Sequence, residues 1–392
     1  MKNKIFAFLV GTPAIKTFAL LFFPLSLLAQ ENPIEVKIQQ KLDSLRAAGN
    51  FPGMVIAVRL ANNKGMAFAS GYADTTKKTK ITPGDYLMQG SVGKTYVAAI
   101  AFQLYKEGKL NFDAKISEYL GSESWFQRLP NAKDITVRML MRHTSGVMRY
   151  EFKDAFTKDL TNQPDKTWKP VELLSYIFDE KPSFVAGKGW DYADTNYIIL
   201  GMIIEKITGE KYYDLLFERI LNPFQLRQTR PSNKRKLPGL VQGYAGNDNP
   251  FGKKSEVIDE NGDFIINPQF EWTGGGIYST TPDLALWGKL LYEGKVFDSS
   301  LLSLMLDTVS AEELGPHTGY GMGVIVHSSQ SLGVFYGHSG FFPGYLAEMY
   351  YFPQYKTVIA LQTNSSDFKT MKIYDLKILV EIAKLILLPG DK

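Results

Sequence analysis

Apolar positions recur with helical spacing near both ends of the chain. In residues 33–49, the side chains of Ile38, Leu42 and Leu45 fall near one face of a helix. Residues 371–387, MKIYDLKILVEIAKLIL, repeat the pattern before the C-terminus. Both segments predict helices that bury one side.

Strand-like patterns follow the first predicted helix and precede the last one. Residues 54–74, MVIAVRLANNKGMAFASGYAD, predict two strands joined by a turn at residues 62–65. The runs YGMGVIVHS, LGVFYGH, LAEMYYFP and TVIALQTN predict further strands towards the C-terminus. Because a two-stranded piece alone is marginally stable, we expect both groups of strands to share one antiparallel sheet.

Helical periodicity dominates the middle of the chain, from about residue 96 to residue 217. Residues 237–272 are polar and rich in turn formers, which predicts a long surface excursion. These patterns together predict an α+β fold. In it, an antiparallel sheet is flanked by helices from both chain ends, and a mostly helical subdomain is inserted at about residues 100–225.

The first 29 residues differ from the rest of the chain. Their only charges are three lysines, and residues 18–29, FALLFFPLSLLA, are almost continuously apolar. Twelve apolar residues are too few to span a bilayer comfortably. The segment therefore predicts a signal peptide cleaved after Ala29, rather than a retained membrane anchor, and an exported mature chain of residues 30–392.

Composition narrows the function further. Loss of the three leader lysines lowers the formal charge from +4 to +1, so no nucleic-acid partner is expected. The chain has no cysteine, which excludes disulfides, thiolate metal sites and a cysteine nucleophile. Its four histidines show no metal-ligand spacing, so the sequence predicts neither a metal site nor a cofactor.

The stretch GSVGKT, residues 90–95, is the first candidate for chemistry. A phosphate-binding loop needs glycine five residues before Gly93, where Met88 stands. The G-x-S-x-G elbow of the α/β-hydrolases fails in turn because Gln89 replaces its first glycine. What remains is a Ser-x-x-Lys pair, Ser91 and Lys94.

The Ser-x-x-Lys spacing has a physical rationale. Three residues are nearly one helical turn, so the side chains of Ser91 and Lys94 project from the same face. Apolar surroundings push a lysine towards its neutral form, and we therefore expect Lys94 to be able to accept a proton from Ser91. Taken alone, the pair also fits a capping serine beside a solvated lysine.

Further segments follow this pair in a recognisable order. Tyr192 stands in WDYADTNYIILG, and residues 338–340 read His-Ser-Gly. Together with Ser91 and Lys94, this order resembles the serine β-lactamase and penicillin-binding DD-peptidase superfamily, above all class C β-lactamases and related esterases and D-amino-acid peptidases. Residues 135–147 and 273–290 also resemble segments of that group.

The resemblance implies roles for individual residues. Ser91 would be the nucleophile that becomes acylated, and Lys94 would assist its deprotonation. Tyr192 would relay protons between Ser91, the leaving group and the hydrolytic water. The backbone N–H groups of Ser91 and Phe341 would form the oxyanion hole.

Substrate contacts are implied around the His-Ser-Gly segment. Gly340 would leave room for the acyl group, and Ser339 would hydrogen-bond a substrate carboxylate or carbonyl. His338 stands where β-lactamases usually have lysine, which puts a fixed positive charge there in doubt. Asp194 stands where the Tyr-x-Asn motif of the superfamily has asparagine. It would serve either as a helix N-cap or as a group facing the substrate. His143 reads as structural rather than as the base of a catalytic triad.

The resemblance implies an exported serine hydrolase that cleaves an ester or amide bond of a small-molecule or peptide substrate. The enzymatic alternatives are a β-lactamase and a D-Ala-D-Ala carboxypeptidase or muropeptide peptidase. A non-catalytic penicillin-binding sensor on the same fold is an alternative of another class.

Overall fold

The computed structural model describes residues 33–247, 249–252 and 254–388. The predicted signal peptide, residues 1–29, lies outside the described residues. The α-helices are α1 (Pro33–Gly49), α2 (Lys94–Lys106), α3 (Ser117–Leu120), α4 (Val137–Met141), α5 (Asp154–Asn162), α6 (Pro170–Leu174), α7 (Asp194–Thr208), α8 (Tyr212–Leu216), α9 (Thr281–Tyr292), α10 (Leu302–Met305) and α11 (Asp375–Leu387). The strands are β1 (Gly53–Arg59), β2 (Gly65–Asp74), β3 (Thr79–Lys80), β4 (Tyr86–Met88), β5 (Thr229–Pro231), β6 (Ile277–Thr280), β7 (Val309–Ser310), β8 (Thr318–Tyr320), β9 (Ile325–Ser329), β10 (Gly333–Phe342), β11 (Tyr345–Phe352) and β12 (Thr357–Thr363).

One large antiparallel sheet contains strands from both ends of the chain. Its order over the described residues is β3-β2-β1-β12-β11-β10-β9-β8-β7. Strand β1 pairs with both β2 and β12, so that Ile56 lies opposite Phe68 on one side and Leu361 on the other. The predicted α+β class and the shared sheet are therefore confirmed.

Helices cover both faces of this sheet, and the strand pattern explains why. Side chains alternate along a strand, so Ile56 packs with α1 and α11 while Val55 packs with α2 and α9. A strand buried on both faces is apolar at successive positions, which accounts for the run MVIAV in β1. Among the described helices, none combines the length and apolarity needed to cross a membrane.

The helices between β4 and β5 pack on the α2 side of the sheet, together with a small sheet of order β4-β6-β5. Helices α2 and α7 are buried on nearly all sides, which is why both read as apolar around their whole circumference. Lys94 is the first residue of α2 and Asp194 the first of α7. The helical insertion at about residues 100–225 stays a prediction.

The last helix begins later than its periodicity indicates. The predicted helix started at Met371, whereas α11 begins at Asp375. The backbone N–H of Met371 donates to Asp367 O, and that of Lys372 donates to Gly49 O at the end of α1. These contacts hold the segment in a turn against α1.

Candidate active site

Ser91 lies on a short turn that packs against the C-terminal end of β10, an interior strand of the large sheet. The 3₁₀ turn Gly90–Gly93 runs directly into α2. A Cβ on Gly90, whose φ is +50°, would lie 2.5 Å from Phe341 O, and one on Gly340 would lie 1.9 Å from Gln89 O. Only glycines permit this approach, which brings the backbone N–H of Phe341 beside the residue preceding Ser91.

The Lys94 side chain is fully buried next to Ser91. Its Nζ lies 2.9 Å from Ser91 Oγ, 2.5 Å from Asp194 Oδ1 and 2.5 Å from Gly274 O. A lysine ammonium has three protons to donate, and the structure offers it three acceptors. Lys94 is therefore held as a charged donor rather than as a free amine.

The expectation of a neutral Lys94 is wrong for this state of the protein. Burial alone lowers the pKa of Lys94, but the Asp194 carboxylate and the Tyr192 hydroxyl outweigh it and hold the pKa above its ordinary value. Sequence neighbours indicated an apolar environment, whereas the deciding charge comes from a residue 100 positions away.

Asp194 does not act as the N-cap of α7. The N-cap of α7 is Ala193, and Asp194 is the first helical residue. Its carboxylate forms the ion pair with Lys94, and 16% of that side chain is exposed. The N-cap interpretation is thus wrong, whereas the substrate-facing interpretation stays a prediction.

The Tyr192 hydroxyl lies in the same cluster. Its ring centroid is 4.9 Å from Lys94 Nζ, and among the described residues the buried hydroxyl has no partner in hydrogen-bond geometry. The pKa of Tyr192 lies above its ordinary value, because burial and the Asp194 charge raise it by more than the Lys94 charge lowers it. Lys94 and Ser91 nevertheless lie close enough to the hydroxyl to influence its pKa, so Tyr192 belongs to the same polar cluster as the Ser91 hydroxyl.

Two further carboxyl groups surround Asp194, and sequence reasoning missed both. Glu151 Oε1 accepts from Arg149 Nε at 2.9 Å, and Glu271 is only 5% exposed. Burial raises the pKa of Glu151 to about 7 and that of Glu271 well above its ordinary value, with the Asp194 charge adding to both. The Oε2 atom of each has no partner among the described residues. Their position was the available signal, because Glu151 follows the 135–147 segment closely and Glu271 lies just before the 273–290 segment.

The His-Ser-Gly segment forms the end of β10 beside this cluster. His338 is buried, and burial together with the Lys94 charge lowers its pKa to about 3, so it carries no positive charge at neutral pH. The alternation along β10 directs the Ser339 side chain to the opposite face, where Glu348 of β11 lies across from it. The structure therefore does not bring the Ser339 hydroxyl to Ser91.

His143 packs behind Tyr192 and does not contact Ser91. The two ring centroids are 4.2 Å apart, and the His143 ring nitrogens bond to Tyr320, Ala193 and Asn196. In the described ranges, no group of three or more histidine and acidic side chains is arranged to hold a metal ion.

Replacing Asp194 with asparagine is expected to move the rise of kcat/KM with pH to lower pH, by about one pH unit. The Asp194 charge raises the pKa of Tyr192, so its removal lets Tyr192 form the reactive phenolate at lower pH. A pH profile of ester hydrolysis measures the shift. Asp191→Asn is the matched control, because its carboxylate accepts from Ser183 instead. An unchanged profile in Asp194→Asn would contradict the electrostatic role of the pair.

Comparison with known proteins yields a family match across most of the chain. The profile of the Beta-lactamase family matches residues 38–383. Penicillin-binding protein 4* of Bacillus subtilis (strain 168) is 26% identical over 314 residues, covering 76% of this chain and 65% of that relative. The chain thus spans slightly less than two thirds of that relative. The teichoic acid D-alanine hydrolase of Staphylococcus aureus is 26% identical over 330 residues, 84% of this chain and 74% of that protein.

Solved structures show the same fold. A D-stereospecific amidohydrolase from Streptomyces sp. superposes with a TM-score of 0.77 at 24% identity, covering 91% of this chain and 99% of that one. The D-amino acid amidase from Ochrobactrum anthropi SV3, in complex with L-phenylalanine amide, gives a TM-score of 0.75 at 23% identity, with 91% and 97% covered.

Proposed function

The chain belongs to the Beta-lactamase family of serine hydrolases, and from that premise we propose that it is exported and cleaves an ester or amide bond through an acyl-enzyme on Ser91. The observation that carries the proposal is the buried ammonium of Lys94, 2.9 Å from Ser91 Oγ and paired with Asp194. Burying a lysine charge costs free energy, so a lysine that only stabilised the fold would be expected at the surface. The burial of Lys94 against the Ser91 hydroxyl therefore favours a role in the reaction.

Because the pKa of Tyr192 is raised, the proposed reaction begins with loss of the Tyr192 proton to solvent. Ser91 Oγ then attacks the substrate carbonyl carbon and gives its proton to the Tyr192 phenolate. The charged Lys94 stabilises both the phenolate and the developing alkoxide. The carbonyl oxygen becomes an oxyanion that accepts from the backbone N–H groups of Ser91 and Phe341. Tyr192 then donates its proton to the leaving oxygen or nitrogen as the tetrahedral intermediate collapses to the acyl-enzyme.

Water completes the cycle in the same site. Tyr192, again a phenolate, removes a proton from a water molecule that attacks the acyl carbon, and then returns that proton to Ser91 Oγ. Proton transfer by a positioned group of this kind contributes about 10² to 10⁴ in rate. We place His338 and Gly340 at the substrate-binding edge of this site.

Release of p-nitrophenol from p-nitrophenyl acetate by the purified protein tests the proposal. We expect turnover, preceded by a burst of about one product molecule per enzyme where deacylation is the slower step. A burst without turnover would instead indicate the penicillin-binding sensor. A folded protein that gives neither burst nor turnover with this ester, a D-Ala-D-Ala peptide or a cephalosporin would contradict the proposal.

We propose more specifically that the acyl group of the substrate carries a free ammonium group. The raised pKa values of Glu151 and Glu271 keep these carboxyl groups wholly or partly protonated, and the Oε2 atom of each has no partner among the described residues. An ammonium group bound beside them would favour their carboxylate forms and pair with the charge. The similarity to a teichoic acid D-alanine hydrolase and a D-amino acid amidase agrees with an acyl group of this kind.

We therefore expect kcat/KM to be at least about 10-fold higher for D-alanine p-nitroanilide than for N-acetyl-D-alanine p-nitroanilide, because one ion pair in a partly buried site corresponds to roughly 1.4 kcal/mol or more. The two substrates share leaving group and stereochemistry and differ in charge. The reverse preference would exclude the ammonium-bearing substrate while leaving the acyl-enzyme reaction intact.

A further inference from the structure

Four hydrogen bonds form a continuous chain behind Tyr192. The backbone N–H of Ala193 donates to His143 Nδ1 at 3.2 Å, and His143 Nε2 lies 3.2 Å from Tyr320 Oη. Tyr320 Oη lies 2.9 Å from His338 Nε2, and His338 Nδ1 lies 2.6 Å from Ser339 O. The chain therefore begins and ends on backbone groups.

The two backbone ends fix the direction of every bond. The Ala193 N–H can only donate, so His143 Nδ1 is an acceptor and its proton is on Nε2, which donates to Tyr320 Oη. The Ser339 carbonyl can only accept, so His338 carries its proton on Nδ1 and accepts from the Tyr320 hydroxyl at Nε2. The two histidines are thus neutral and of opposite tautomers, with Tyr320 as the central link.

This hydrogen-bond chain connects two walls of the candidate site. Ala193 stands between Tyr192 and Asp194, at the start of α7, whereas His338 and Ser339 precede Gly340 and Phe341 on β10. Between them, Tyr320 comes from the end of β8. The hydrogen bonds therefore connect the segment that carries Tyr192 to the strand that carries the Phe341 N–H.

The aromatic members also pack against Tyr192. Ring centroids of Tyr192 lie 4.2 Å from His143, 5.9 Å from Tyr320 and 6.3 Å from His338. His143 and Tyr320 are fully buried and His338 nearly so. In such a low-dielectric setting, breaking one of these hydrogen bonds leaves a buried acceptor unsatisfied, which costs free energy. The intact hydrogen-bond chain therefore holds its members in fixed positions.

We propose that Tyr320 is a positioning residue for the proposed hydrolysis: its hydroxyl joins the two histidines and so sets the spacing between Tyr192 and the oxyanion-binding edge of β10. The proposal rests on the proposed function. Tyr320 touches neither Ser91 nor the reacting carbonyl, and it acts through His143 and His338. Misplacement of catalytic groups by about 1 Å can cost about 10²-fold in rate.

Tyr320→Phe removes one hydroxyl and keeps the ring, and p-nitrophenyl acetate is the probe. We expect kcat to fall about 10- to 100-fold with KM within about 2-fold of the wild-type value. The matched control is Tyr292→Phe, because Tyr292 is also buried and its hydroxyl has no partner among the described residues. That control is expected to keep the wild-type kcat. A wild-type kcat in Tyr320→Phe would overturn the proposal.

Histidine tautomers provide a second measurement that does not depend on turnover. Long-range ¹H–¹⁵N NMR on the four histidines should show His338 protonated on Nδ1 and His143 on Nε2 in the wild-type protein. An Nε2–H tautomer of His338 would overturn the proposal even if Tyr320→Phe failed to fold.

The third measurement is the pH at which His338 becomes charged in the Tyr320→Phe and Tyr292→Phe variants. Without the Tyr320 hydroxyl, His338 Nε2 is free to bind a proton, and we expect it to titrate at higher pH in Tyr320→Phe than in Tyr292→Phe. The titratable groups that face His338 are Lys94, Tyr192, Tyr320 and His143, and the remaining three are common to both variants. If the NMR results hold while the wild-type protein hydrolyses nothing, the proposed function fails and the hydrogen-bond chain stands.

Discussion

Replacing Ser91 with alanine is expected to lower kcat/KM for p-nitrophenyl acetate to the background rate, a loss on the order of 10⁴-fold or more. The variant has no atom that can form the acyl-enzyme, whereas Lys94, Tyr192 and the backbone donors stay in place. Because Ser91 Oγ is one of three acceptors for Lys94 Nζ, the ion pair with Asp194 is expected to keep the fold intact. Initial rates corrected for spontaneous hydrolysis measure the effect.

Ser232→Ala is the matched control for this experiment. Ser232 is fully buried and its hydroxyl has no partner among the described residues, so the same atom is lost without a role in the site. We expect its turnover to equal that of the wild-type protein. Equal turnover of wild type and Ser91→Ala would show that another residue is the nucleophile.

The second large effect is expected for Lys94→Met, which keeps most of the side-chain volume and removes the charge. We expect kcat/KM to fall about 10³-fold, because Tyr192 loses the cation that lowers its pKa and Ser91 loses its donor. The free energy of unfolding is expected to fall as well, by up to about 3–5 kcal/mol, since Asp194 is left without its partner. Steady-state kinetics and urea denaturation measure the two effects.

The double variant Lys94→Met/Asp194→Asn separates the two consequences. Removing both charges relieves the unpaired carboxylate, so stability should return towards the wild-type value while activity stays low. A double variant as unstable as Lys94→Met would show that packing, rather than the unpaired charge, causes the loss. Recovery of activity would exclude Lys94 from the reaction.

The sequence predicted the parts of the fold that local patterns encode. Helix α1 and the pair β1 and β2 follow from spacing and alternation, and the apolar run in β1 reflects burial on both faces. The start of α11 was misplaced because contacts with α1 and with Asp367 hold the preceding segment in a turn. Such contacts leave no mark on helical periodicity.

For the site as well, the sequence predicted what depends on neighbouring residues and missed what depends on distant ones. Ser91 and Lys94 are neighbours on one turn, so their spacing alone suggested the pair. The charge on Lys94 depends on Asp194, a partner from another helix, and the neutral lysine was therefore wrong. Glu151 and Glu271 escaped notice because the fold, rather than any motif, gathers them around that pair.

The hydrogen-bond chain through Tyr320 was equally hidden. His143, Tyr320 and His338 come from three separate segments, and each reads on its own as a core aromatic or histidine. The side of β10 that Ser339 faces also required the register of β10 against β11. Hydrogen bonds between residues of distant segments can be identified only once the structure shows which side chains meet.

Labelling with a fluorophosphonate, which forms a stable ester with an activated serine, tests the central claim most directly. Intact mass and peptide mapping should show one label per molecule, located on Ser91, with loss of p-nitrophenyl acetate hydrolysis in proportion to labelling. The Ser91→Ala variant should take up no label, and Ser232→Ala should label as the wild-type protein does. A label on any other residue, or a protein that hydrolyses the ester after complete labelling of Ser91, would contradict the account.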